Sequence, residues 1–304
     1  MRLYFFGAEG QIARSLREAA TENRDLVIGW GSRPSVDLQR PDLVQRALAD
    51  FSPDLVINPA AYTAVDLAES EPDLAFAIND KGAGDIAAAA HALNAPIIHL
   101  STDYVFDGNK DGPYDETDAV SPQTVYGRSK LAGEQAVAAA NPRHMILRTS
   151  WVYAPFGANF VRTILRLAAD RDKLSVVDDQ IGCPTYAPDI ANAILAIARK
   201  IGANGWQANY AGVTHLAGPD AVTWCSFARR ILQASETNRN RLMAVDAITT
   251  ADYPTPAKRP ANSRLCCNRL GSVFGVRLPP LDQSLRACID RLFSGSPQSG
   301  KGPS

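Results

Sequence analysis

Short apolar runs separated by longer segments of helix-forming residues fill the first half of the chain. The apolar runs occupy residues 2–6, 26–30, 54–58, 96–101 and 144–148. Runs of this length that do not alternate with polar residues predict strands buried on both faces of a sheet. Because strands and helices alternate along the chain, the pattern predicts an α/β fold with a Rossmann-type, doubly wound parallel sheet.

The second half of the chain is richer in Pro, Gly and Asn, which predicts a smaller C-terminal substrate-binding lobe. We expect a dinucleotide-binding domain over residues 1–150, to which residues 173–202 return. Residues 151–290 then form mainly the lobe for a sugar nucleotide. The low-complexity residues 294–304 are predicted to be a disordered tail.

Composition and charge narrow the range of partners. The 304 residues are 46% hydrophobic, and the net charge is −1 with a pI of about 6.4. A chain without a basic field is not expected to bind nucleic acid or an anionic membrane. No apolar run approaches the ~20 residues that span a bilayer, and the N-terminus lacks a signal-peptide pattern. These features predict a cytoplasmic protein.

Cysteine and histidine spacing indicates no metal site. The five cysteines are an odd number and none forms a C-x-x-C pair, while the four histidines are scattered. We expect reduced thiols and no metal ligands among these residues.

A glycine-containing turn follows the first predicted strand. Gly7 and Gly10 precede a helical segment, with Ala13 at the third position of a G-x-x-G-x-x-A pattern. Such a turn lets backbone N–H groups at a helix N-terminus approach a pyrophosphate, and Gln11 and Ile12 belong to the same predicted cofactor site. The alternative is an ordinary turn between a strand and a helix.

Tyr126 and Lys130 form a Tyr-x-x-x-Lys pair on a predicted helix, for which Ser121 is the expected N-cap and Pro122 the first residue. Residues four apart share a helix face, so the Lys130 ammonium is expected to lower the pKa of the Tyr126 phenol. Tyr126 could then give a proton to a carbonyl oxygen as hydride reaches the carbon. The pair alone is weak evidence, because it also occurs on solvated helices.

Four informative segments lie at the predicted C-terminal ends of parallel strands. They cover residues 7–13, 59–63, 101–103 and 149–151. Ligands of doubly wound sheets bind beyond these strand ends, so the segments predict a single active cleft.

Five further blocks carry a more specific resemblance. They are residues 62–69 (Y-T-A-V-D-L-A-E), 101–108 (S-T-D-Y-V-F-D-G), 148–153 (R-T-S-W-V-Y), 179–185 (D-Q-I-G-C-P-T) and 259–265 (R-P-A-N-S-R-L). With the glycine turn and the Tyr–Lys pair, they resemble the extended short-chain dehydrogenase/reductases. Within this family the chain resembles the branch that reduces the 4-keto group of dTDP-4-dehydro-L-rhamnose to dTDP-L-rhamnose with NADPH.

The resemblance implies a role for each matching residue. Tyr126 protonates the sugar 4-oxygen, Lys130 holds the nicotinamide ribose, and Thr102 donates a hydrogen bond to the reacting oxygen. Cofactor contacts are implied for Ala60, Ala61, Tyr62, Thr63, Asp37 and Leu38. Substrate contacts are implied for Asp103, Trp151, Asn159, Arg259, Asn262 and Arg264. The arginines suit a diphosphate, and the alternative for these residues is a purely structural or surface role.

The loop after the second strand bears on the choice of cofactor. Ser32 and Arg33 follow that strand, and no carboxylate occurs before Asp37. A carboxylate at the strand end would favour NADH, whereas Ser32 and Arg33 could hold the 2′-phosphate of NADPH. We therefore expect NADPH to be preferred and NADH also accepted. In the alternative, Arg33 is a solvated loop charge.

Two alternative functions stay open, and the chain departs from the family pattern on the first helix. The same fold occurs in the non-catalytic, NADP-binding regulatory subunit of methionine adenosyltransferase, and also in nucleotide-sugar epimerases and dehydratases. Family members with a magnesium-bridged dimer carry a glutamate on the first helix, where this chain has Ser15. Magnesium and that form of homodimer are therefore doubtful.

Overall fold

A computed structural model describes residues 1–21, 23, 25–236 and 243–294. The strands in chain order are β1 (Arg2–Phe6), β2 (Val27–Gly31), β3 (Leu55–Asn58), β4 (Ile97–Thr102), β5 (His144–Thr149), β6 (Val152–Tyr153), β7 (Lys173–Val177), β8 (Ile181–Gly182), β9 (Thr185–Tyr186), β10 (Gly212–His215), β11 (Val222–Thr223), β12 (Ala244–Ile248) and β13 (Asn262–Ser263). The α-helices are α1 (Gln11–Thr21), α2 (Pro41–Phe51), α3 (Val65–Ala68), α4 (Pro72–Phe76), α5 (Ala83–Ala92), α6 (Val125–Ala140), α7 (Phe160–Asp170), α8 (Ala187–Asn204), α9 (Trp224–Ala234) and α10 (Leu281–Ser294).

Six parallel strands form the central sheet in the order β10-β5-β4-β3-β1-β2. The chain passes from β1 to β2 on one side and then returns to place β3 on the other side of β1. This reversal creates the crevice in which doubly wound sheets bind ligands. The predicted fold is confirmed.

Helices cover both faces of the sheet because its strands are apolar on both faces. Leu3 and Phe5 pack with α1 and α8 on one face. Tyr4 and Phe6 pack with α2, α5 and α6 on the other. The cleft at the strand ends is therefore supported by two apolar layers.

The C-terminal lobe has an apolar core of its own. It is formed by β7, α7, α9 and α10, and β7 pairs in parallel with β12. Within residues 173–202, α8 packs on the central sheet, whereas Leu174 and Val176 of β7 are buried in the lobe core. The chain also returns at β10, which joins the central sheet and was not predicted.

The helix that carries Tyr126 begins later than predicted. Thr124, and not Ser121, is its N-cap: the Thr124 side chain accepts a hydrogen bond from the N–H of Gly127 at 3.0 Å. The N–H of Ser121 instead donates to the carbonyl of Val105, which ties this segment to the loop after β4. Tyr126 therefore lies in the first turn of α6.

The helical stretch between β3 and β4 contains a π-helical segment, Ala77–Gly82, between α4 and α5. Ser294, at the start of the predicted tail, ends α10, and residues 295–304 lie outside the described part of the chain. Within the described residues, no helix has the length and apolar character needed to cross a bilayer.

Candidate active site

The ends of β4 and β5 bring the predicted catalytic residues next to α6. Thr102 and Thr149 are register partners on these two strands. The hydroxyl of Thr102 lies beside the phenol of Tyr126, whose side chain is only 9% exposed and packs edge-on against Tyr104 at 5.5 Å. A buried pair of hydroxyl groups therefore lies at the C-terminal edge of the sheet.

The pKa of Tyr126 is raised and not lowered, because burial penalises the phenolate more than the neighbouring Thr102 hydroxyl favours it. Lys130 does not offset this penalty. Its own pKa falls to about 8, because burial of the ammonium outweighs the favourable charge of Glu134. The phenol is therefore protonated at neutral pH.

Lys130 is held from the β4 side. The side chain is 1% exposed, and Nζ donates to the carbonyl oxygen of Leu100 at 2.7 Å. Nζ also lies 3.2 Å from Nε2 of His99, a buried residue for which the sequence analysis found no role.

Asp103 brings a carboxylate to the same point. It is 4% exposed, and Thr102 Oγ1 donates to its Oδ1 at 3.1 Å, with the Ser263 hydroxyl nearby. Burial raises the pKa of Asp103 to about 6. Its buried Oδ2 has no protein partner among the described residues, so it is available to a ligand hydroxyl.

Trp151 is enclosed on both faces of its indole ring. The ring stacks on Trp224 with centroids 3.4 Å apart and planes 6° from parallel. A Cβ added to Gly182 would lie 2.3 to 2.7 Å from three neighbouring indole atoms, so the backbone of Gly182 covers the opposite face. A sugar could therefore meet the edge of Trp151 but not stack on it unless Trp224 moved.

The other predicted substrate residues differ in what they contact. Arg259 pairs with Asp66 at 2.6 Å and lines a surface pocket that also includes Lys258. Asn262 donates to the carbonyl oxygens of Lys110 and Gly112 and accepts from Arg264. Asn262 and Arg264 thus hold the backbone around residues 110–112 in place. Of the three residues, Arg259 lines this pocket.

Asn159 lies on the cofactor side of the cleft. It is the N-cap of α7, and its amide nitrogen donates to the Gln11 side chain at 2.9 Å. It therefore connects the lobe to the start of α1.

The turn after β1 has room for a pyrophosphate. Gly7 has a φ of +88°, and a side chain added there would press against Ala60 at 3.3 Å. Nothing lies within 4 Å of a Cβ added to Gly10, which stands directly before α1. An open helix N-terminus of this length can bind a pyrophosphate through its free N–H groups. The residues present fit a dinucleotide.

The remaining predicted cofactor residues surround this turn. Ser32 and Arg33 follow β2, and the Arg33 side chain is exposed. Asp37 and Leu38 are half-buried, and Leu38 lies against Gly82 of the π-helical segment. Ala60, Ala61 and Tyr62 are half-buried after β3, and Thr63 is exposed. Ile12 packs between the sheet and the loop that contains Phe156.

Ser15, at the position where the resemblance implies a glutamate in members with magnesium, forms a hydrogen bond within its own helix, α1. It is buried, and its hydroxyl donates to the carbonyl of Gln11.

Several residues that the sequence analysis missed anchor α6. Glu69 accepts from the N–H of Val125 at 2.8 Å, which ties the start of the helix to the segment after α3. Buried Asn79 accepts from the Tyr62 N–H and donates to Ser129. Glu69 belongs to a block already quoted for its resemblance, but no local pattern indicates its distant partner.

A buried ion pair fixes the middle of α6 to the sheet. Glu134 accepts from Arg148 at 2.6 and 2.9 Å and from Ser101 at 2.5 Å. This network holds α6 against β4 and β5, so the positions of Tyr126 and Lys130 are set by buried contacts.

A doubly wound parallel sheet, a glycine turn and a buried Thr–Tyr–Lys set define an extended short-chain dehydrogenase/reductase. The family model described as the RmlD substrate binding domain matches residues 1–294. A dTDP-4-dehydrorhamnose reductase from Sinorhizobium fredii is 49% identical over 95% of this chain and 97% of its own length. The enzyme of that name from Escherichia coli K12 is 39% identical over 97% of this chain and 99% of its own.

Solved structures agree with this assignment. The NADP complex of a dTDP-4-dehydrorhamnose reductase from Bacillus anthracis has a TM-score of 0.85 and 34% identity, covering 97% of this chain and 99% of its own. A reductase of the same name from Clostridium acetobutylicum gives a TM-score of 0.88 and 36% identity, covering 96% and 100%. The chain belongs to the dTDP-4-dehydrorhamnose reductase family, which confirms the resemblance seen in the sequence.

Proposed function

We propose that the protein uses NADPH to reduce the 4-keto group of dTDP-4-dehydro-L-rhamnose, giving dTDP-L-rhamnose. The observation that carries this proposal is the buried Thr102–Tyr126 pair beside Asp103, at the same edge of the sheet as the glycine turn. It is also supported by relatives named as this reductase, which match the chain over nearly their whole length.

Tyr126 acts as the proton donor. Because its pKa is raised by burial, the phenol keeps its proton until hydride arrives at the carbonyl carbon. The developing alkoxide is then far more basic than the phenolate, so the proton moves to the sugar oxygen. Thr102 turns its single hydroxyl proton from Asp103 Oδ1 to the same oxygen, which is then held between the two hydroxyl groups.

Substrate recognition is assigned to the residues around this pair. Asp103 directs its unpartnered Oδ2 at a sugar hydroxyl, and the edge of Trp151 contacts the deoxysugar. Arg259 binds the diphosphate by exchanging part of its ion pair with Asp66 for phosphate oxygens. Asn159, Asn262 and Arg264 support these groups through the backbone contacts described above.

The cofactor supplies the hydride, and residues around the glycine turn hold it. Gly7, Gly10, Gln11 and Ile12 bind the pyrophosphate, while Ala60 to Thr63 line the next part of the cleft. NADPH binding is supported by the NADP complex of the Bacillus anthracis relative. Preference for NADPH over NADH is assigned to Ser32 and Arg33, which would hold the 2′-phosphate.

Arg33→Ala tests that preference. We expect tighter binding of NADPH than of NADH in the wild type, and a larger loss for NADPH in the variant, because only NADPH has the 2′-phosphate. Dissociation constants for both cofactors measure this, with the exposed Arg46→Ala as control. Equal losses for the two cofactors would refute the role of Arg33.

Tyr126→Phe tests the reaction. Oxidation of NADPH with the 4-keto sugar nucleotide should fall by about 10²- to 10⁴-fold, the usual contribution of a general acid. Cofactor affinity should change little, because the ring still packs on Tyr104. The control is Tyr253→Phe, since Tyr253 is 62% exposed.

Activity of Tyr126→Phe within twofold of the wild type would overturn the mechanism. A wild-type protein that binds NADPH but does not reduce the sugar nucleotide would instead support the non-catalytic alternative.

A further inference from the structure

A buried row of polar groups lies behind Lys130 and has no part in the roles described so far. Asn58 ends β3, His99 lies in β4, and Lys130 reaches them from α6. Asn58 Nδ2 is 3.1 Å from His99 Nδ1, and His99 Nε2 is 3.2 Å from Lys130 Nζ. All three side chains are buried, so water does not take the place of any of these contacts.

The backbone fixes the direction of the first hydrogen bond in this row. The N–H of Ala60 donates to Asn58 Oδ1 at 3.1 Å. A backbone N–H can only donate, so the amide oxygen must face Ala60 and the amide nitrogen must face His99. An amide nitrogen also only donates. His99 Nδ1 is therefore an acceptor and carries no proton.

The proton of a neutral His99 then sits on Nε2 and points at Lys130. An imidazolium is disfavoured because burial lowers the pKa of His99 well below its ordinary value. Only a neutral amine can accept from Nε2–H, since an ammonium has no lone pair. The amine can still donate to the carbonyl of Leu100, so each of these contacts is satisfied.

The ammonium form of Lys130 conflicts with this arrangement. To accept from the ammonium through Nε2, His99 would have to carry its proton on Nδ1. That proton would then face the side-chain Nδ2–H of Asn58, and two donors would meet. The charge that favours the ammonium comes from Glu134, one helical turn along α6. That carboxylate is already held by Arg148 of β5 and Ser101 of β4. The contacts of the row therefore oppose protonation of Lys130.

We propose that His99 is a positioning residue that holds Lys130 and biases its side chain towards the neutral amine. This inference rests on the proposed function, in which Tyr126, one helical turn before Lys130 on α6, is the proton donor. Its consequence is that Lys130 gains and loses a proton near neutral pH, where an ordinary lysine stays charged.

The first test observes the histidine itself. Long-range ¹H–¹⁵N spectra of the ¹⁵N-labelled wild-type protein should show His99 with Nε2 protonated and Nδ1 bare at pH 9, where Lys130 is the neutral amine. A proton on Nδ1, or an imidazolium, at this pH would overturn the proposal. This measurement needs no substrate, so its failure is distinct from a failure of the proposed function.

The second test uses His99→Gln, whose amide can turn its oxygen towards an ammonium. The pH at which the ¹⁵Nζ signal of Lys130 titrates should rise by about one unit, the effect of one hydrogen bond to a charged group. The alkaline limb of the kcat profile should move in the same direction. The control is His91→Gln on the exposed surface of α5, which should leave both unchanged.

A purely structural role for His99 would lower the melting temperature or kcat at every pH without moving the titration of Lys130. That result in His99→Gln would also overturn the proposal. If the variant does not fold, the tautomer measured on the wild type still decides it.

Discussion

At the scale of single residues, Asp103 combines a cost to folding with a proposed role in binding. Its carboxylate is buried, and one of its oxygens has no partner in the part of the chain that the structure describes. Because the folded-state pKa is about 6 against an ordinary 3.8, the folded protein binds the Asp103 proton more tightly than the unfolded chain does. The ionised residue therefore lowers stability, and this cost grows as the pH rises from about 4 to about 6.

Asp103→Asn should remove this cost. The free energy of unfolding should rise by up to about 3 kcal/mol above pH 7, since two pKa units are worth ~1.4 kcal/mol each, and it should change little near pH 4. Denaturant unfolding at both pH values measures the difference, with the exposed Asp50→Asn as control. Reductase activity should fall in the same variant, because the sugar loses its carboxylate partner.

A gain in stability that is equal at both pH values would show that the ionised carboxylate is not the cause. A variant with full activity would remove Asp103 from the substrate site.

At the scale of elements, the position of α6 depends on a close approach to the π-helical segment Ala77–Gly82. A Cβ added to Gly133 would lie 1.9 Å from the carbonyl oxygen of Asn79. Backbone atoms cannot yield by that much without moving one of the two helices. Asn79 is also the residue that joins Tyr62 to Ser129, so the contact links the cofactor side of the cleft to the catalytic helix.

Gly133→Ala should therefore affect stability and catalysis together. We expect a loss of at least ~1–3 kcal/mol of unfolding free energy, as for other overpacked sites, and a lower kcat because Tyr126 and Lys130 shift with α6. Thermal denaturation and the NADPH assay measure the two effects. Gly271→Ala is the matched control, since an added Cβ there has only ordinary contacts at 3.7 Å and beyond.

Unchanged melting of Gly133→Ala would mean that the two helices can separate at little cost. In that case the close approach would not be what positions α6.

Much of the element pattern could be predicted from the sequence, because the five apolar runs are long enough to identify strands. The sixth strand, β10, could not, since Gly212–His215 is short and gains its place only by pairing with β5. The start of α6 was also missed. Thr124 does have a suitable side chain, but Ser121-Pro122 gave the stronger local signal, and a contact to distant Val105 decides against it.

The candidate site, too, could be predicted only in part from the sequence. The residue types and spacing of Tyr126 and Lys130 indicated the chemistry. Their electrostatics could not be predicted, because burial in the folded protein raises one pKa and lowers the other. Glu69 and His99 were missed because their partners are about 30 or more residues away in sequence.

At the scale of the whole molecule, the two cores are built from interleaved segments. The lobe takes β7, α7, α9 and α10, while α8 and β10 lie between these elements in sequence and pack with the central sheet. Arg291 of α10 also pairs with Glu18 of α1 at 2.7 Å. Neither core corresponds to a continuous stretch of chain that could fold by itself.

We therefore expect thermal unfolding in a single transition that NADPH moves to higher temperature. NADPH at a hundred times its dissociation constant should add about 2.7 kcal/mol to the stability of the whole chain. Calorimetry with and without NADPH measures this, with added adenosine as a control ligand that lacks the phosphates. Two transitions, of which NADPH shifts only one, would show that the lobe unfolds separately.

The parallel stack of Trp151 on Trp224 has an optical consequence. Two indole rings held at 3.4 Å couple their electronic transitions, which gives paired circular-dichroism bands of opposite sign that an isolated tryptophan lacks. Trp30 stacks on Phe5, and Trp206 meets Tyr210 edge-on, so neither contributes such a pair. Loss of these paired bands on addition of a sugar nucleotide would therefore report, without any label, that Trp151 and Trp224 have separated.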